Sequence, residues 1–208
     1  MKTKSIFFSL LFSATAFAFF AKCSGDKQEQ ATESHEGHDA EEHASDSSPT
    51  TEASQPQFQV EQKFQEQLSS VFASYVELKD AFVGSDAKKV QTEASETKDA
   101  LAKVDMKLVS GAAHNDWMNY LSPIQASLKD IQASGDIEAQ RKAFSNLSDN
   151  LYKSVKAFGL GGKEAFYDYC PMAFNNEGAY WLSDEPQIKN PYFGAKMLKC
   201  GEVKEKLK

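Results

Sequence analysis

Four stretches between residues 64 and 158 repeat an apolar side chain at every third or fourth position, and that repeat leaves few folds open. Phe64, Leu68, Val71, Phe72, Tyr75 and Phe82 share one helical face, with Gly84 as a stop. Ser85-Asp86 then offers an N-cap to a second stripe, Ala87, Val90, Ala94, Thr97, Leu101, Val104 and Leu108, which keeps a heptad spacing up to Gly111. Trp117, Leu121, Ile124, Leu128 and Ile131 form a third stripe, in which Pro123 is expected to kink the helix or split it near Ser122. Gly135-Asp136 opens the fourth, whose buried face is Phe144, Leu147, Leu151, Val155 and Phe158 and whose end is Gly159, Gly161 and Gly162. Helices striped on one side bury their stripes only against one another. The expected fold is therefore all-α, an antiparallel up-and-down four-helix bundle followed by an irregular C-terminal tail that carries Cys and Met. The stripe residues are packing positions and carry no functional role.

The start of the chain has a different character. Residues 1–23 join Lys2 and Lys4 to an apolar run from Ile6 to Phe20, the layout of an export signal rather than of a membrane span. Two cleavage sites compete. Phe20-Ala21-Lys22 before Cys23 half resembles a lipoprotein box, with Lys22 where a small residue belongs; Ala16-Phe17-Ala18 suits ordinary signal peptidase. Lipidation of Cys23 leaves Cys170 and Cys200 as an even pair in an oxidising compartment, and this favours the anchored form. The protein is thus expected outside the cytoplasm, periplasmic or held to the envelope by a lipid, with no other contact to a membrane.

Residues 24–56 hold nine acids against one Lys and almost nothing apolar, too little to offset the entropy of ordering, and are expected to form a disordered tether. The domain expected over residues 57–208 is left with a net charge of −2, so no basic stripe exists to neutralise phosphates and nucleic acid is excluded as a partner. Within the tether, His35, His38 and His43 stand among Glu36, Asp39, Glu41 and Glu42, a weak secondary set for zinc or copper(II); a solvated acidic tether is the plainer reading.

Beyond Gly162 the helical period stops, and two short sulfur clusters appear, Cys170-x-Met172 and Met197-x-x-Cys200. In an extended segment residues i and i+2 point to one side, and on a helical turn i and i+3 share a face, so each cluster can aim two sulfurs at one point. Thiolate and thioether are soft donors, and two Cys with two Met suit copper(I) better than calcium, magnesium or manganese. The competing reading is a Cys170–Cys200 disulfide that staples the tail, worth on the order of 3 kcal/mol for such a loop, with both Met in packing roles. Asn175-Asn176-Glu177-Gly178 and Asn190-Pro191-Tyr192-Phe193-Gly194 read as turns that shape the loop around these sulfurs. Tyr180, Trp181, Tyr192 and Phe193 either cover the bundle end or shield a metal from water.

The runs "YCPMAF", "GAYWLS" and "NPYFGAKMLKCGEV", with "LKDAFVGSDA" and the Gln140-Arg141 and Phe144 segment, resemble the bacterial domain-of-unknown-function family 3347 over about residues 58–205. The resemblance implies a small exported domain, of a kind also fused to periplasmic adaptor subunits of heavy-metal efflux pumps. It implies a role in copper or related metal handling, with Cys170, Met172, Met197 and Cys200 at the motif positions and an efflux-system protein as partner. Many relatives have His where this chain has Tyr169, so an imidazole ligand is missing there. With the resemblance included, a copper(I) site leads over a purely structural disulfide, and the two can coexist as redox states. The alternative function is a disulfide-stapled helical interaction module with no metal role, binding an efflux-pump or other envelope partner.

No enzyme is expected. Cys170 with His114 is the one conceivable nucleophile and base, and no local signature supports them. His114 reads instead as a helix-end or surface residue. Gly159-Leu160-Gly161-Gly162 ends a helix rather than following a strand, which is the wrong context for a phosphate loop.

Overall fold

The computed structural model describes residues 53–208. The signal segment 1–23, Cys23, the histidines His35, His38 and His43, and all but the last residues of the 24–56 tether lie outside the described residues. Among the described residues no helix is long and apolar enough to cross a membrane.

The protein is mostly helical. Among the described residues the four long helices are α1 (Gln62–Val83), α2 (Ala87–Leu101), α3 (Gly111–Ala133) and α4 (Ile137–Phe158). Asp86 caps α2 by accepting the amides of Lys88 and Lys89, both at 3.0 Å, and Asp136 caps α4 by accepting that of Ala139 at 3.0 Å. Each helix packs on the next in the chain, and α4 also reaches α1. The stripes expected to form the core do so: Phe64, Leu68, Val71, Tyr75, Phe82, Val90, Trp117, Ile124, Leu128, Phe144, Leu147, Leu151 and Phe158 are all buried. Phe64 meets Trp117 and Phe158 edge-on at 5.3 and 5.2 Å, and Tyr75 stacks on Phe144 at 5.2 Å.

One helix expectation needs correction and another is narrowed. The second helix ends at Leu101, not near Gly111, and Val104 and Leu108 follow in a turn and a short 3-10 segment, Met106–Leu108. Asp105 accounts for the break: its carboxylate accepts the Lys107 amide at 3.0 Å and its own amide goes to Gln67 Oε1 at 3.0 Å, local bonds that compete with the helical ladder. Pro123 does not split α3, which runs unbroken from Gly111 to Ala133. The carbonyl that Pro123 leaves without a donor belongs to Asn119, an exposed residue, so water can satisfy it.

The tail is not irregular. It forms a three-stranded antiparallel sheet, β1 (Ala165–Cys170), β2 (Ala179–Ser183) and β3 (Glu202–Leu207), in the order β2-β1-β3. From Tyr167 to Cys170 the burial alternates, after a register shift between Tyr167 and Asp168: Asp168 and Cys170 are fully buried while Tyr167 and Tyr169 are half-buried. Tyr75 of α1 docks β2, since its hydroxyl shares a 2.7 Å hydrogen bond with Ser148 of α4 and accepts the Leu182 amide at 3.1 Å. Tyr152 of α4 stacks on Tyr167 at 3.7 Å, Tyr167 on Tyr180 at 4.7 Å, and Tyr180 meets Tyr169 at 4.4 Å. The chain before α1 joins the same body, with the Ser54 amide donating to Lys206 O at 3.1 Å and Phe58 stacked on Phe158 at 5.5 Å.

Candidate functional site

Cys170 is the last residue of β1, opposite Ala179 of β2, and its side chain is wholly buried. Pro171 follows and, lacking an N–H, ends the ladder there. The hairpin then turns through Phe174, Asn175 and Asn176, all left-handed at φ 50°, 59° and 72°. Two Asn tolerate that conformation; Phe174 does so at a cost of roughly 1–2 kcal/mol.

Cys200 arrives from the other direction, between a 3-10 turn at Gly194–Lys196 and β3. The whole loop hangs on Asn190, which is fully buried. Its Nδ2 donates to Cys200 O at 2.7 Å, and its Oδ1 accepts the amides of Tyr192 at 2.8 Å and Phe193 at 3.1 Å. Its own amide donates to Leu198 O at 2.8 Å. Arg141 of α4 fastens the loop to the bundle, donating from Nε to Pro191 O at 2.9 Å and from Nη2 to Ser85 Oγ at 2.8 Å. Gly201 passes so close to the sheet that a Cβ there would lie 2.8 Å from the Trp181 ring and 2.9 Å from Tyr169 O, and its φ is +143°.

These constraints bring the Sγ atoms of Cys170 and Cys200 to 3.4 Å, and both are free thiols. The contact is a thiol–thiol hydrogen bond, which together with burial pushes the Cys200 thiol above its ordinary range. Trp181, whose ring lies against Gly201, is fully buried and meets Tyr192 edge-on at 5.9 Å.

The structure thus unites the two cysteines predicted from spacing, and treats the two methionines differently. Met197 stands one turn before Cys200, whose amide donates to Met197 O at 3.0 Å. Met172 is 45% exposed and lines a separate cleft of about 370 Å³ with Glu138, Phe174, Tyr192 and Phe193. Among the described residues no group of three or more His, Cys, Asp or Glu is placed to hold a metal, which leaves His114, in the first turn of α3, outside the thiol pair.

Two residues of this region escaped the sequence reading. Asn190 was legible as a turn residue but not as the latch of a ten-residue loop. Asp168 shares the inward face of β1 with Cys170, is fully buried, and has no hydrogen-bond partner for either carboxylate oxygen. Burial pushes its carboxyl up to about 8, against the opposing pull of the Lys79 charge. A charged residue between tyrosines carried no signal of burial.

A family model described as a protein of unknown function, DUF3347, matches residues 71–163. That segment spans most of the four helices and ends before β1, so Cys170 and Cys200 lie beyond it. No curated protein and no solved structure matches the chain.

Proposed function

We propose, for a chain whose residues 71–163 belong to the DUF3347 family, that the reduced Cys170–Cys200 pair binds a soft metal ion, copper(I) before others, and serves heavy-metal handling outside the cytoplasm. The observation that carries this reading is the 3.4 Å approach of two free thiols from segments thirty residues apart. Two thiolates at about 2.3 Å from one metal stand roughly 3.8 Å apart in tetrahedral geometry and about 4.6 Å apart if linear. The pair needs to open by only a few tenths of an ångström for a bent site, and by more than an ångström for a linear one. A bent site requires another donor. Met197, on the same turn as Cys200, is the candidate, and its thioether matches the softness of the thiolates. Met172 is exposed at the edge of its own cleft and is not needed. The up-and-down antiparallel arrangement of the helices belongs to the same reading, supported by the short connections and by the packing of each helix on the next.

Titration of the reduced, oxygen-free protein against a chromophoric copper(I) chelator tests this. The wild type should withdraw one ion per chain. Cys170→Ser and Cys200→Ser should each weaken binding by at least about tenfold, Met197→Leu by less, and Met172→Leu not at all. Serine variants that compete as well as the wild type would remove the site.

A further inference from the structure

We propose that the same thiol pair is a disulfide-exchange couple in which Cys200 takes the incoming disulfide and Cys170 completes the exchange, so that oxidation closes the metal site. The regulatory part of this rests on the copper(I) reading above; the order of the thiols does not.

The two sulfurs are unequal in access. Cys170 lies at the end of the central strand with no exposed surface, whereas Cys200 is half-buried in a loop whose neighbours Leu198 and Lys199 are exposed. Attack on a disulfide requires the thiolate to approach one sulfur along the S–S axis, with room for the departing half behind it. A buried strand residue has no such room. The outer thiol does, and once it carries an adduct its sulfur remains within about one bond-length adjustment of Cys170, since 3.4 Å must shrink to about 2.0 Å. That second attack is intramolecular and therefore favoured over a second encounter in solution.

The chemistry balances with a low-molecular-weight disulfide such as oxidised glutathione as the oxidant. The Cys200 thiolate attacks one glutathione sulfur, the S–S bond breaks, and one glutathione thiolate leaves. The Cys170 thiolate then attacks Cys200 Sγ, a protein disulfide forms, and the second glutathione thiolate leaves. The two protein thiol protons end on the two glutathione thiols. The protein loses two electrons and the small disulfide gains them. A disulfide sulfur is no longer a thiolate donor, so the oxidised pair cannot hold the metal, and a bound metal occupies both thiolates and blocks the exchange.

The full chain in a Cys23→Ser background, reduced and then exposed to oxidised glutathione, provides the test by acid quench and mass spectrometry. The parent should close to an intramolecular disulfide with little persistent adduct. Cys170→Ser should accumulate a stable glutathione adduct on Cys200, and Cys200→Ser should react at Cys170 at least about tenfold more slowly. Limited alkylation of the parent, which needs no substitution at either position of the pair, should label Cys200 before Cys170. Equal labelling of both thiols, or a parent that keeps its adduct and never closes, would overturn the order. Copper(I) competition on the reduced and oxidised samples separates the two readings. A reduced protein that takes no copper overturns the metal reading and leaves the exchange order standing. An oxidised protein that binds copper as the reduced one does overturns the closing of the site.

Discussion

Asp168 places a carboxyl in a fully buried position on the strand that ends in Cys170, with the Lys79 charge pulling against its burial and Trp181 across the ladder. Its folded carboxyl holds a proton up to about pH 8, whereas the unfolded chain releases it near 3.8. Folding therefore takes up a proton between those values, and stability falls as pH rises through that window. Asp168→Asn keeps the site neutral. In denaturant titrations the variant should match the wild type near pH 4 and exceed it by on the order of 5 kcal/mol above pH 8, with a flatter pH profile between. An unchanged profile would show that Lys79 compensates the carboxylate fully. At this scale the soft donors were legible, because Cys and Met carry their chemistry in their names and their spacing constrains it. The partners that aim them were not. Asn190 acts on Cys200 ten residues away, and Asp168 is paired with Trp181 of β2 and Val203 of β3 under the Lys79 charge, neighbours that no local pattern records.

Among the elements, the four helices were readable because each buries one stripe at helical period, and propensity, caps and stripe agree. Their details followed competing local bonds instead: Asp105 ended α2 early, and an exposed Asn119 let α3 absorb Pro123. The strands were missed for a different reason. Glu-Val-Lys-Glu-Lys-Leu of β3 shows no apolar alternation, and its pairing with β1 is fixed by contacts some forty residues apart, such as Ala165 with Leu207. Tyr75 joins the two layers, holding Ser148 and the Leu182 amide on one hydroxyl. Tyr75→Phe leaves that buried amide without its partner and should cost about 1–3 kcal/mol, read as a lower denaturation midpoint with unchanged helical circular dichroism. A variant as stable as the wild type would show that the sheet does not depend on this joint.

For the molecule as a whole, the division of labour is between a bundle that supplies rigidity and a C-terminal sheet and loop that carry the sulfurs. The family match covers the first part and not the second. The central claim is that Cys170 and Cys200 ligate copper(I) through sulfur, and X-ray absorption at the copper edge of the reduced, loaded protein addresses it most directly. The account predicts a first shell with two or three sulfurs near 2.3 Å, with one sulfur fewer in Cys200→Ser. A shell of nitrogen and oxygen alone would contradict it.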